Sequence, residues 1–140
     1  MTRPTGPDLN KCSAAAALTR PARRVHLAVL AAVAAAIAEQ VQVESETCRV
    51  LMEARALAAH EPVIAAAVRA ADEHTHRQLA ELFAAGVAAG EWPADTDPGL
   101  AARLFAAGLY GLMTQWHLAP GSFSWHRAAT ALAEGAGREH

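Results

Sequence analysis

The sequence predicts an all-α protein, and three observations lead to that prediction. Hydrophobic residues make up 53% of the 140 residues, aromatic residues make up only 5%, and alanine dominates the apolar set. Alanine is the strongest helix former and a poor strand former. Runs of β-branched residues of strand length are missing from the sequence, whereas apolar residues recur at helical spacing. We therefore expect a single antiparallel bundle of four to five helices.

The first predicted helix begins near Pro21, because proline is favoured in the first turn of a helix. An apolar stripe with 3-4-3-4 spacing follows: Leu27, Leu30, Ala34, Ile37 and Val41. Ser45 is a candidate N-cap for a second helix, whose stripe is Val50, Leu51, Ala54, Leu57 and Ala58. Because neither glycine nor proline separates the two stripes, one continuous helix is the alternative.

A long third helix is predicted from Pro62 to Ala89, with Gly90 as a left-handed stop. Its apolar stripe is Ile64, Val68, Ala71, Thr75, Leu79, Leu82 and Gly86. The segment Glu91–Thr96 is predicted to be a loop.

A fourth helix is predicted over Pro98–Leu118, because Asp97 and Pro98 combine an acidic N-cap with a proline in the first turn. Ala119, Pro120 and Gly121 end it. Ser122 is a candidate N-cap for a last helix reaching about Glu134, after which Gly135 and Gly137 close the chain.

Charge is distributed unevenly along the chain. Residues 1–24 hold five basic residues against one acid, a net charge of +4, whereas residues 25–140 hold seven arginines against thirteen acids, a net charge of −6. We interpret residues 1–20 as a disordered basic lead-in and residues 21–137 as the helical domain. An acidic domain is a poor surface for phosphate backbones, so we expect no direct DNA binding from it.

The fourth predicted helix is apolar on more than one face, which indicates more than one packing partner. Gly108 and Gly111 each cost about 1 kcal/mol in a helix interior relative to alanine, and close approach of another helix is their expected compensation. We predict a homodimer interface here, with a central helix of a monomer as the alternative. The predicted interface residues are Leu104, Gly108, Gly111, Gln115, Trp116, Phe123 and Trp125.

Residues that could carry catalysis or bind a metal are few. Glu73 and His76 have the spacing of a carboxylate-bridged di-metal site, but such a site needs a second copy of the motif. Cys48 beside Arg49 is a candidate reactive thiol, and a packed structural cysteine is the simpler interpretation. Two cysteines form no disulfide framework. We therefore predict a cytoplasmic protein that is not an enzyme and has no cofactor or metal.

From about His60 to Ala133 the chain resembles the C-terminal domain of the tetracycline-repressor (TetR) family of transcriptional regulators. The resemblance is carried by the order and spacing of short motifs. These are Gly86-Val87-Ala88-Ala89-Gly90-Glu91, then Asp97-Pro98, then Ala101-Ala102-Arg103-Leu104, then Gly111-Leu112 followed by Trp116.

The resemblance implies a domain that dimerises through its last two long helices, here Pro98–Leu118 and Ser122–Glu134. It also implies a pocket for a hydrophobic small-molecule effector inside the preceding helices. For its lining we predict large or polar residues on faces expected to be internal. These are Met52, His74, Thr75, Tyr110, Met113 and His117.

The N-terminal helix-turn-helix module of this family is not found in residues 1–24. A truncated regulator, a fragment and a partner of a full-length regulator are therefore alternatives. Three other functions stay open: a helical interaction protein without a ligand, a metal-binding helical-bundle enzyme, and an exported protein. The last arises because Val25–Ala38, which is too short to span a membrane, is similar to a signal peptide.

Overall fold

A computed structural model describes residues 24–43 and 45–138, which form helices joined by turns. The helices are α1 (Val25–Val43), α2 (Ser45–Leu57), α3 (Pro62–Ala88), α4 (Pro98–Leu118) and α5 (Trp125–Arg138). These ranges contain no strand, which confirms the all-α prediction. Glu44, the residue between α1 and α2, lies outside the described residues. The predicted lead-in 1–20, the start at Pro21, and the side chains of Val41 and Ser45 lie outside the described residues.

The predicted signals at both ends of the α3–α4 loop are confirmed. The side chain of Asp97 caps α4 by accepting hydrogen bonds from the backbone N–H groups of Gly99 (3.0 Å) and Leu100 (3.2 Å). Gly90 has a φ of 78°, a left-handed conformation that costs glycine nothing because it has no Cβ. Helix α3 accordingly ends one residue earlier than predicted, at Ala88.

The main hydrophobic core lies between α1, α3, α4 and α5. Its buried members are Leu27, Leu30, Ala34, Leu79, Phe83, Trp92, Ala101, Ala102, Phe105, Ala106, Leu109, Ala129, Ala133 and Ala136. Half of them are alanines, which allow helices to approach closely. The signal-like segment Val25–Ala38 therefore supplies core residues of the bundle. No helix in the described ranges is long and apolar enough to cross a membrane.

Trp92 closes one end of this core and is almost completely buried. Its indole ring packs against Phe83, with ring centroids 4.9 Å apart. The ring lies between Gly86 of α3 and Gly137 of α5, and a methyl group on either glycine would overlap with it. The hydroxyl of Thr96 donates a hydrogen bond of 2.9 Å to the carbonyl of Gly137. The loop is thus held to α3 and α5 by the side chains of Trp92 and Thr96, for which the sequence predicted only a loop.

The neighbouring Glu91 connects the same loop to the start of α1. Its side chain is fully buried. One carboxylate oxygen accepts hydrogen bonds from the backbone N–H groups of His26 (2.9 Å) and Leu27 (3.2 Å), and the other is bonded to the His26 ring. Unpaired N–H groups at a helix N-terminus need such an acceptor. A residue far away in sequence therefore caps α1.

The prediction for the last helix was wrong at both ends. The helix begins at Trp125 rather than after Ser122, and the hydroxyl of Ser124 accepts a bond of 3.4 Å from the N–H of Arg127. It continues to Arg138 through both glycines that were expected to end it. Gly137 is retained within the helix because its missing side chain makes room for Trp92.

We predict that Gly137→Ala lowers the free energy of unfolding by about 1–3 kcal/mol, because the added methyl group overpacks the Trp92 site. Gly135→Ala is the matched control two residues earlier. Nothing lies within 4 Å of its Cβ position, so alanine there should stabilise by up to about 1 kcal/mol through helix propensity. Urea unfolding monitored by circular dichroism measures both. Equal effects of the two substitutions would contradict the assigned role of Gly137.

Candidate functional site

A cavity of about 220 Å³ lies where α1, α2, α3 and α4 meet. Helix α4 contributes the largest share of its wall, and α2 closes the side opposite to the main core. The lining residues are Ile37, Gln40, Thr47, Cys48, Leu51, Thr75, Leu79, Ala106, Leu109, Tyr110 and Met113. The exposed residues Gln40, Thr47 and Leu51 mark the side on which the cavity meets solvent.

The wall of this cavity is predominantly apolar, and none of its lining side chains is charged. Polar atoms come from a few groups only, including the hydroxyls of Thr75 and Tyr110. Burial raises the pKa of the Cys48 thiol, so the thiol is protonated at neutral pH and is a poor nucleophile. Arg49, considered as a group that activates it, instead pairs with Glu46 at 2.6 Å. The geometry suits binding of an apolar molecule better than catalysis.

A second cavity of about 270 Å³ adjoins the first, and the two share Leu51, Tyr110 and Met113 in their walls. It also contains Arg55, whose guanidinium lies 4.0 Å above the centre of the Tyr110 ring. This cation–π contact orients Arg55 along the boundary between the two cavities.

Asp72 of α3 holds Arg55 from the other side. Two hydrogen bonds join them, Nη1 to Oδ1 at 2.8 Å and Nη2 to Oδ2 at 2.9 Å, and the Tyr110 hydroxyl donates to Asp72 at 3.5 Å. The bond from Arg55 lowers the pKa of Asp72, and the bond to Asp72 raises the pKa of Arg55. Burial raises the pKa of Tyr110. The pair is therefore fully charged at neutral pH, with Tyr110 protonated beside it.

The structure brings together part of the predicted ligand-binding set. Thr75, Tyr110 and Met113 line the first cavity, and Met52 lines the second with Tyr110 and Met113. The remaining two residues line neither cavity. His74 is exposed on α3, and His117 is half-buried in the last turn of α4.

The predicted interface residues fall into two groups. Trp116, Phe123 and Trp125 pack on one another within the protomer, with ring centroids 5.2–5.9 Å apart. Gly108 faces Leu132 of α5 in the same chain, and a methyl group on it would overlap with that side chain. Leu104, Gly111 and Gln115 are instead exposed.

Leu104 and Gly111 belong to a longer apolar stripe along the outer face of α4, and Gln115 is a polar residue on the same side of the helix. The stripe is defined by Leu100, Leu104, Ala107, Gly111 and Leu118, all of which are exposed. Their spacing of three, four or seven places them along one side of the helix. We call this set the α4 stripe. Nothing lies within 4 Å of the Cβ position of Gly111, so the stripe has space for a close neighbour.

The candidate metal motif does not assemble into a site in the described ranges. No group of three or more His, Cys, Asp and Glu side chains in residues 24–43 and 45–138 is placed to hold a metal ion. Glu73 and His76 instead line a charged groove on α3 together with Arg103 of α4.

Sequence reasoning missed several residues of the site. Ile37 and Leu51 were assigned only to apolar stripes. Cys48 was considered as a reactive thiol or as a packed residue, and Arg55 was not assigned a role. Arg55 itself could have indicated the site, because it is a charged residue within the apolar stripe of the second helix. Its partner Asp72 lies on another helix, and no local pattern connects the two.

Comparison with known families gives one match. The family model described as the BetI-type transcriptional repressor, C-terminal, matches residues 15–139, which is most of the chain. Neither a curated protein nor a solved structure matches the chain.

We predict that Asp72→Asn lowers the free energy of unfolding at neutral pH by about 1 kcal/mol, because a hydrogen-bonded, partly buried charge pair is lost. The pKa of Asp72 is lower in the folded protein. Its contribution is therefore present above the ordinary carboxyl pKa of about 4 and disappears as the pH falls through the lower, folded-state value.

Urea unfolding of both proteins between neutral pH and strongly acidic pH measures this difference. Glu73→Gln, at an exposed neighbouring position, is the control and should change the free energy of unfolding by less than about 0.5 kcal/mol. A difference between wild type and Asp72→Asn that stays constant down to strongly acidic pH would contradict the assignment.

Proposed function

The chain belongs to the TetR family of transcriptional regulators as a BetI-type C-terminal domain, and on this premise we propose that it is an effector-binding and dimerisation domain. It binds a hydrophobic small molecule, forms a homodimer and has no catalytic role. It acts in the cytoplasm, and operator DNA is contacted by a separate helix-turn-helix module. The observation that carries this proposal is the apolar cavity enclosed by α1–α4.

The cavity supports the ligand part of the proposal by its size and its chemistry. An apolar cavity of about 150 Å³ accommodates benzene, and scaling to about 220 Å³ gives room for about nine carbon atoms. Burial of such a molecule is favourable because the wall is apolar. The hydroxyl of Thr75 provides a hydrogen bond that orients it, whereas the Tyr110 hydroxyl donates to Asp72.

The α4 stripe supports the dimer part. Soluble monomers seldom expose contiguous apolar surface, and an exposed patch rimmed by polar residues is typical of an interface. A two-fold axis through the stripe would pair each copy with the same surface of the other. Leu104, Gly111 and Gln115 would be at its centre, whereas Gly108, Trp116, Phe123 and Trp125 support α4 from within the protomer.

The effector would act by changing how the helices pack. Ile37 and Gln40 of α1 line the cavity, and the start of the same helix is held by Glu91. Displacement of α1 by a bound molecule is therefore transmitted toward the N-terminal side of the domain. A ligand shifts such an equilibrium only as far as it binds the two states differently.

We predict that decan-1-ol, a neutral apolar probe, binds the cavity and raises the melting temperature in proportion to its occupancy. Thr75→Phe should weaken that binding at least tenfold, because the phenyl ring occupies the cavity. His74→Phe is the matched control on the adjacent, exposed position and should retain the affinity. Titration calorimetry measures both variants. A wild type that shows no binding would support a filled interaction protein without a ligand.

We predict that the chain sediments as a dimer at micromolar concentration and that Leu104→Glu converts it to a monomer. The reason is that the substitution places two like charges close together at an apolar interface. Val63→Glu, on the exposed start of α3, should leave the dimer intact. Analytical ultracentrifugation measures the mass, and circular dichroism checks that both variants keep their helical content. A monomeric wild type would contradict the dimer proposal.

A further inference from the structure

The effector of the proposed function can be assigned a charge from the arrangement of the two cavities. We propose that it is an amphiphile with an apolar tail in the first cavity and a carboxylate that pairs with Arg55 in the second. This inference rests on the proposed function, since it assumes that the apolar cavity binds the effector.

The first step of the inference is the distribution of charge. Among the described residues that line the two cavities, Arg55 is the one that carries a full charge at neutral pH. Asp72 lines neither of them and faces a charged groove that also contains Arg69 and Arg103. A molecule that fills the apolar cavity and extends past Leu51 and Tyr110 therefore meets Arg55 as the charged side chain of the wall, with Asp72 bonded to two of its nitrogens.

The second step is the capacity of Arg55 for another partner. A guanidinium has five N–H donors, and the two bonds to Asp72 use two of them. The Tyr110 ring covers one face of the group, and Asp72 fixes its in-plane orientation. The remaining N–H groups are thereby held in position to donate to an acceptor in the plane of the guanidinium, as a carboxylate requires.

The third step is the exclusion of the opposite charge. The oxygens of Asp72 already accept from Arg55 and from the Tyr110 hydroxyl. A cationic head group in the second cavity would lie beside the Arg55 guanidinium, which carries the same charge, and the described residues that line this cavity include no carboxylate. A neutral head group would gain no charge-assisted hydrogen bond. The arrangement therefore favours an anion over both.

Three unbranched probes with the same number of carbon atoms but different head groups test the assignment: decanoate, decan-1-ol and decylammonium. The nine-carbon tail of decanoate has about the volume that the first cavity accommodates. Titration calorimetry on the full chain at neutral pH, below the micelle concentrations, should show decanoate binding about tenfold or more tighter than decan-1-ol, since hydrogen bonds between charged partners are the stronger class. Decylammonium should bind most weakly.

Variants then test whether Arg55 causes the preference for decanoate over decan-1-ol. Arg55→Gln should bring the affinity for decanoate down to that for decan-1-ol. Arg49→Gln, which removes an exposed arginine of the same helix, should retain the full preference. Asp72→Asn removes the negative charge beside Arg55, whereas the amide oxygen still accepts one of its hydrogen bonds and keeps the guanidinium in place. It should therefore increase the preference for decanoate. If Arg55→Gln loses its helical circular dichroism signal, Asp72→Asn decides, and a reduced preference there overturns the inference.

The outcomes separate this inference from the proposed function. Equal affinities of wild type for decanoate and decan-1-ol, or a preference that survives Arg55→Gln in folded protein, overturn the carboxylate assignment and leave an apolar effector site intact. Tighter binding of decylammonium overturns it in the same way. Binding of none of the three probes overturns the effector site itself.

Discussion

The packing of Trp92 between two glycines is the constraint on which the rest of the bundle depends. A chain whose core is half alanine has few side chains large enough to fill the space where helices diverge. Trp92 provides that volume at one end together with Phe83 and Phe105, whose rings lie 6.1 Å apart. The same loop places Glu91 on the first turn of α1. The relative positions of α1, α3 and α5 at this end are therefore fixed by two adjacent loop residues.

The cavity exists because this part of the bundle lacks large side chains to fill it. Thr75 lies about two turns before Phe83 on α3, and Ala106 follows Phe105 about 100° around α4. Small side chains therefore border the cavity, whereas the neighbouring rings fill the core. Well-packed interiors have few voids larger than a water molecule, so an unfilled volume of this size has a cost in stability. That cost is expected for a site that a ligand fills. The rigid aromatic end and the small-residue end thus have different roles within one helical bundle.

Local chemistry made the helix boundaries predictable, and long-range packing made the rest unpredictable. The Asp97–Pro98 start and the Gly90 stop depend on residues within one turn, and both were predicted correctly. Glu91 and Trp92 were assigned to a loop without a packing role, and their burial was not predicted because their partners are on α1, α3 and α5. Gly108 illustrates the limit most clearly: its sequence context predicts close approach of a helix, and only the coordinates show that Leu132 of the same chain is nearby.

The candidate site, like the fold, was predictable where it depends on local sequence patterns and unpredictable where it depends on contacts between helices. Thr75 was correctly placed inside because the α3 stripe has a clear period, whereas His74 is one residue away and about 100° around the helix, on the exposed side. Arg55 could not be assigned from the sequence because its role depends on Asp72 and on the Tyr110 ring. Both are brought to it by the packing of three different helices.

Helix α4 connects the two proposed activities of the domain, ligand binding and dimerisation, in one mechanism. One side of it, including Ala106, Tyr110 and Met113, forms the wall of the cavity, and the other side carries the α4 stripe. A packed helix moves as a unit, because interiors transmit strain rather than absorb it. A ligand that displaces α4 therefore also displaces the surface across which two copies would meet, and by reciprocity the state of the dimer alters affinity for the ligand. No relay of intermediate residues is needed, since both surfaces belong to one helix, and Gly111 of the α4 stripe also lines the second cavity.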